Sequence, residues 1–287
     1  MAASTNEECG GSEERMAPWH TRWAAGRTTF HMEDPHPVLL RRHVAMGWAP
    51  GARLLLPLCG KSRDLRYLAE AGYDVTGVDG VESARESFAA EQAGRVAGSS
   101  VVFVDTTVRF VVDDFLAVTA EQLGGHVAGA FDRGGLVAVA PEDRAAYAAV
   151  LSAVVSPGGG VLLVAVEHPP FSGGKLGPPF SLPESEVHAL FDASFQVELL
   201  EREDRMPIEE VWKVSMRYYG TVRTVFTTAG TWQCFRCQCA HPHQRVSVLN
   251  VATITPPRPA TATATSTATQ DRGCDSFDET TYLLKRR

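Results

Sequence analysis

From Arg53 onward the sequence alternates short apolar runs with segments of helical period, and this alternation restricts the possible folds more than any other feature. RLLLPL (53–58) is an unbroken apolar run, the pattern of a strand covered on both faces. Ser62 is placed to cap the helix that follows, whose Leu65, Leu68 and Ala69 fall at helical spacing, and Gly72 marks its end. DVTGVD (74–79) predicts the next strand, with Val81, Ala84 and Phe88 on one face of the helix behind it. VVFVD and VRFVVDDF predict one or two more strands at 101–115, and GAFDRGG (129–135) predicts a fourth strand opening into a loop. In PEDRAAYAAVLSAVV, Tyr147, Val150, Leu151 and Val154 fall at i, i+3, i+4 and i+7, and Pro157 with three glycines stops that helix. GVLLVAVEH (160–168) is a further apolar strand. Ser181 and Glu184 make a capping box for a helix carrying Val187, Leu190 and Phe191, and FQVELLER (195–202) is strand-like again. Such a succession predicts a doubly wound, mostly parallel α/β sheet of Rossmann-like type. Ligands of these sheets bind beyond the carboxyl ends of the strands, so function is sought in the loops at 57–62, 79–82, 113–116, 132–136 and 168–180.

The flanks read differently. Residues 1–16 are small, polar and charged, which predicts a disordered N-terminus without the apolar stretch of a secretory signal. Beyond about Lys213 the alternation collapses into TVRTVFTTAGTWQCFRCQCAHPH, which has no period, and TPPRPATATATSTATQ, which is low in complexity. Yet ETTYLLKRR (279–287), with Thr281, Leu283 and Leu284, reads as a final strand. Loops in compact domains have a median of ~4–6 residues. The expectation is therefore one domain formed by 17–212 plus 277–287, interrupted by a disordered insertion at 213–276. The composition of that stretch also matches translated non-coding sequence. A net charge of −7 argues against nucleic acid as a partner. No stretch reaches the ~18 apolar residues of a membrane helix. Of six cysteines, three crowd into 234–239, a poor disulfide framework, so a reduced, cytoplasmic protein is expected.

Asp79 ends the second predicted strand, 19 residues after Gly60. An acid at about this spacing accepts ribose hydroxyls in nucleoside-binding folds, although an aspartate there also suits a helix cap. The PLCGKS loop lacks G-x-G-x-x-G, which makes a diphosphate cofactor awkward. One glycine is enough for a nucleoside without phosphates, and S-adenosylmethionine fits that description, favouring a methyltransferase over a dehydrogenase. Asp113 and Asp114 end the third strand, where an acid could accept from an adenine amine. Asp132 and Arg133 stand at the mouth of the sheet before two glycines. Trp19 and Trp23, four apart, could form an aromatic wall for a sulfonium, or simply pack. Cys234, Cys237, Cys239, His241 and His243 lie within ten residues, without the second half of a structural zinc site, so no metal is expected. No P-loop, nucleophile elbow or HExxH occurs.

WHTRWAAGRTTFH, PLCGKSRDLRYLAEAGYDVTGVD, FDRGGLVAVAPEDRAAYA and GPPFSLPESEV together resemble the thiopurine S-methyltransferase family, over about 17–212 and again at 277–287. The resemblance implies a class I S-adenosylmethionine-dependent methyltransferase, a monomer with a seven-stranded sheet whose antiparallel last strand is 279–285. It implies that Trp19 and Trp23 pack around the cofactor, that Leu58 and Gly60 form its loop, and that Asp79 holds the ribose. Asp113 and Asp114 then occupy the adenine side, Arg133 faces the acceptor sulfur, and Phe180 covers the acceptor pocket. The implied chemistry is in-line attack of a thiolate, such as that of a thiopurine, on the cofactor's methyl group. Arg133 would stabilise the thiolate, Asp132 would orient Arg133 or accept a proton, and no strong general base is required. Related enzymes with a similar GPP loop act on halide ions or bisulfide, which is the second reading. An NAD-dependent oxidoreductase and a non-catalytic zinc-binding protein are remote ones.

Overall fold

The computed structural model describes residues 5–204 and 277–287. The chain enters through α1 (Thr5–Ala24), so Thr5–Met16, for which composition predicts disorder, form the first turns of a helix. Long-range bonds supply what local composition lacks: the side chains of Ser12 and Arg15 both donate to the Asp114 carboxylate. In α2 (Pro37–Arg42), proline at the first turn costs no hydrogen bond, and His36 Nδ1 caps the helix by accepting from the Val38 amide at 3.3 Å.

The expected alternation follows as β1 (Arg53–Pro57), α3 (Arg63–Glu70), β2 (Asp74–Asp79), α4 (Glu82–Glu91), β3 (Arg95–Ala97), β4 (Ser100–Val102), β5 (Thr107–Val112), β6 (Val127–Arg133), α5 (Arg144–Val154), β7 (Val155–Glu167), α6 (Glu184–Phe191), β8 (Phe195–Asp204) and β9 (Asp278–Arg286). The Ser62 hydroxyl accepts from the Asp64 amide and caps α3, as its sequence predicts. The expected capping box of α6 is absent: Pro183 precedes the helix, and the Ser181 hydroxyl accepts the His168 amide instead.

All strands join one sheet in the order β3-β4-β5-β2-β1-β6-β7-β9-β8. β5, β2, β1, β6 and β7 run parallel, and β9 is antiparallel to both its neighbours. Among the described residues the sheet has nine strands where seven are expected. The extra pair, β3 and β4, is a three-residue hairpin turned at Gly98 (φ 59°), too short for a periodicity to register. Helices cover both faces. Leu54 and Leu56 point into one apolar cluster and Leu55 into the other, which explains why β1 reads as a continuous apolar run. Among the described residues no helix is long and apolar enough to cross a membrane.

β8 and β9 are antiparallel neighbours whose register pairs Asp204 with Asp278. Two strands so paired need only a short turn between them. Here residues 205–277 make the connection. The predicted insertion at 213–276, with Cys234, Cys237, Cys239, His241 and His243, lies outside the described residues. β1 lies between β2 and β6, where the strand order reverses. A crevice opens there at the carboxyl ends of the strands.

Candidate active site

The loop leaving β1 is tightly wound, with Leu58 at φ 44° and Gly60 at φ 53°. Every backbone amide from Cys59 to Ser62 has a partner within the protein. Cys59 donates to the Val78 carbonyl at 2.9 Å and Ser62 to the Cys59 carbonyl at 3.1 Å. Gly60 donates to Asp79 Oδ2 at 2.8 Å, and Lys61 donates to His31 Nε2 at 2.9 Å. A phosphate-binding loop does the opposite and leaves its amides pointing at the ligand. Asp79, at the end of β2, also accepts the Val81 amide at Oδ1, 3.0 Å away. Burial pushes its carboxyl up to about 6, against the pull of the two amides. Cys59 is buried as well, and burial with the nearby Asp79 charge holds its thiol protonated, so it packs and does not act as a nucleophile.

Sequence reasoning passed over His31. Its Nδ1 donates to the Thr28 carbonyl at 3.1 Å while Nε2 accepts from Lys61, which fixes one neutral tautomer. Burial, followed by the charges of Lys61 and Arg133, lowers its pKa to about 4, although the Thr28 bond opposes this. The ring sits against Phe30 (centroids 4.5 Å apart) and edge-on to Trp23 (5.5 Å). It also explains Gly60: a Cβ there would lie 2.1 Å from His31 Nε2. The close approach that requires glycine is made by the protein's own imidazole.

Trp19 and Trp23 share a face of α1, as their spacing predicts, and both meet the Phe30 ring edge-on, at 6.1 and 6.2 Å. One face of Trp19 carries the Arg22 guanidinium. Arg133, at the end of β6, reaches this aromatic group, and its Nη1 donates to the Phe30 carbonyl at 2.8 Å. Phe180 is anchored to the turn that follows β6 through its amide, which donates to the Val137 carbonyl at 2.6 Å.

Asp132 does not accompany Arg133. Successive strand residues point to opposite faces, and the Asp132 side chain is fully buried on the α5 side. Its Oδ1 accepts the Gly135 and Leu136 amides at 3.1 and 3.2 Å, and its Oδ2 accepts the Tyr147 hydroxyl at 2.8 Å. Burial raises its pKa to about 6 against those three donors. This carboxylate shapes the turn behind Arg133, in contrast to the expectation that it orients the arginine or accepts a proton. Asp113 and Asp114 are likewise engaged by protein donors. Asp113 accepts from Gln122 and the Asp114 amide. Asp114 accepts from Ser12, Arg15 and the Leu116 amide. Burial alone would raise the Asp114 pKa, but these donors together hold it below the usual carboxylate range. At Asp114, where an adenine amine was expected, α1 supplies two of the donors. Among the described residues no group of three His, Cys, Asp or Glu side chains is arranged to hold a metal ion.

The sequence matches the family model described as Thiopurine S-methyltransferase (TPMT) over residues 14–221, a match that runs past residue 212. A curated thiopurine S-methyltransferase of Pseudomonas paraeruginosa is 34% identical over 202 residues, covering 68% of this chain and 89% of the relative. One from Azotobacter vinelandii is 37% identical over 203 residues, covering 69% and 91%. Among solved structures, TehB from Haemophilus influenzae superposes with a TM-score of 0.50 at 13% identity, over 89% of this chain and 64% of that one, which speaks to the fold alone. The chain belongs to the thiopurine S-methyltransferase family, and is an S-adenosylmethionine-dependent methyltransferase of the class I fold.

Proposed function

We propose that this enzyme transfers a methyl group to the sulfur of aromatic or heterocyclic thiols such as thiopurines. The observation that carries the acceptor class is the bond from Arg133 to the Phe30 carbonyl, which brings a fixed cation and an aromatic ring together beside the Gly60 loop.

The residues fit the cofactor. Asp79 gives one lone pair per oxygen to the protein and retains one on each for a vicinal diol. The loop amides are all committed, so the site suits a nucleoside without phosphates and argues against a dinucleotide. When bound, S-adenosylmethionine supplies a methyl group already made electrophilic by its sulfonium, which leaves positioning as the protein's main task. The Arg133 charge favours the thiolate over the thiol. The Asp132 carboxylate and His31 Nε2 are both occupied by internal donors. That fits chemistry in which an acidic aromatic thiol arrives ionised and needs no general base. Trp19, Trp23 and Phe30 give the site an apolar, aromatic wall.

The test is methyl transfer from labelled S-adenosylmethionine to 6-mercaptopurine, thiophenol, bisulfide and iodide in parallel. Transfer to the two aromatic thiols is expected, and transfer confined to iodide or bisulfide would overturn the acceptor class. Arg133→Ala should lower kcat/KM for 6-mercaptopurine by ~10–100-fold, the loss of one charge-assisted contact. Its affinity for S-adenosylhomocysteine should stay within about threefold, since Asp79 and the loop are untouched. A variant as active as the parent removes Arg133 from the acceptor site. We also propose that 213–276 lies outside the catalytic domain, because the Asp204–Asp278 register lets residues 205–212 and 277 close the β8–β9 hairpin unaided.

A further inference from the structure

We propose that His31 is a positioning residue for the cofactor loop: its ring fills the face of Gly60 and its Nε2 holds the Lys61 amide, fixing the loop in the shape that receives a phosphate-free nucleoside. The inference rests on the reading of the Gly60–Asp79 loop as the cofactor site.

Three geometric facts meet at this imidazole. Nδ1 is committed to the Thr28 carbonyl, so Nε2 can only accept, and what it accepts is the Lys61 amide 30 residues away. Gly60 leaves room for the ring, because any side chain there would collide with Nε2 or Cε1. The ring's own backbone neighbour, Phe30, is tied through its carbonyl to Arg133. Residues 28–31 therefore form a strap with one end on the cofactor loop and the other on the cation assigned to the acceptor. The loop needs such a restraint, because Leu58, which is not a glycine, holds a positive φ that a free loop would relax. Gly60 is already held from the other side by Asp79. With Lys61 held by His31, the turn between β1 and α3 is clamped at two consecutive amides, and neither is left to attract a phosphate. Burial, with Lys61 and Arg133 close by and Glu91 opposing them, keeps the ring neutral and able to accept.

The roles of the ring's shape and of its acceptor atom can be separated. His31→Phe keeps the packing against Phe30 and Trp23 but removes the acceptor. His31→Gln loses aromatic packing but its carbonyl oxygen can take the position of Nε2. Calorimetric titration of the full chain with S-adenosylhomocysteine, alongside steady-state kinetics, is the experiment. The expected result for His31→Phe is affinity about tenfold weaker, the equivalent of one lost hydrogen bond of roughly 1.4 kcal/mol. Its kcat at saturating cofactor should stay within about threefold. His31→Gln should recover most of the affinity. Equal binding by His31→Phe and the parent overturns the inference, as does a His31→Gln variant that binds as weakly as His31→Phe while melting with the parent. Failure of the parent itself to bind S-adenosylhomocysteine overturns the cofactor-site reading beneath it, an outcome the variants cannot mimic.

Discussion

Replacing Asp79 by alanine is expected to lower the affinity for S-adenosylhomocysteine at least about 100-fold, because on the proposed reading this buried carboxylate accepts two ribose hydroxyls through charge-assisted bonds of roughly 1.5–3 kcal/mol each. The same change frees the Gly60 and Val81 amides, so the loop loses a tether as well as the ligand its acceptor. The acceptor's affinity for a preformed complex should change much less. The pH dependence carries a sign that tests the assignment. With a carboxyl raised to about 6, the ionised form that can accept both hydroxyls dominates only above that pH. Affinity in the parent should therefore climb between pH 5 and pH 7 and then level. In Asp79→Asn it should be weak and flat over the same interval, as titrations at several pH values would reveal. Strong, pH-independent binding by that variant sinks the ribose assignment. For folding the sign is opposite. A folded pKa above the unfolded value gives stability that is complete below about pH 4 and is lost as pH rises through about 6. By the usual 1.36 kcal/mol per unit, the ionised Asp79 then costs the free enzyme ~3 kcal/mol, which bound hydroxyls would offset.

Asp132→Ala is expected to destabilise the fold by about 3–5 kcal/mol, since it strands the Tyr147 hydroxyl and the Gly135 and Leu136 amides inside the protein. Asp132→Asn should behave differently. An amide is the same size, still accepts the two amide protons, and can donate to Tyr147 in place of accepting from it. Its advantage depends on pH. The Asp132 carboxyl is also held near 6 by burial, so the parent loses this contribution between about pH 4 and pH 6 while the asparagine variant does not. Denaturant melts of both at pH 4 and pH 7 decide the matter. The variant should gain up to ~3 kcal/mol on the parent between those two values. Full activity in Asp132→Asn would agree with a carboxylate that faces α5, whereas a stable but inactive variant would return Asp132 to the chemistry.

The pair at the end of β6 shows what a linear sequence does and does not disclose. Asp132 and Arg133 are adjacent and sit at the mouth of the sheet, so both invite a catalytic reading. The period of two in a strand already forbids it, since one must face α5 when the other faces Phe30. That signal is present in FDRGG itself. The proximity of Gly60 and Asp79 was legible because strand ends and a nineteen-residue spacing are local properties of a βαβ unit. Their bond, from the Gly60 amide to Oδ2, follows from that geometry. His31 was not legible, because its importance lies in one bond to an amide 30 residues away and in the space left by a glycine. No period marks residues 19–42. The first turns of α1 were hidden for the same reason: composition predicts disorder, and the partners of Ser12 and Arg15 are the distant Asp114 and, for Arg15, Asp143.

The placement of β9 also sets a timetable for the protein's birth. Tyr282 and Leu284 are fully buried, and their strand lies between β7 and β8 although it is the last of the sheet to be made. A ribosome adding ~5–20 residues per second needs roughly 4–15 s to translate residues 205–277 after β8 has emerged. Throughout that interval the nascent sheet presents two unpaired edges, the kind of surface that recruits strands from other chains. The length itself costs little once translation is over, because closure entropy grows only slowly with the number of residues closed, by ~0.6 kcal/mol per doubling. The connection therefore exposes this enzyme while it is being made far more than after it has folded, and chaperone demand during synthesis should grow with its length.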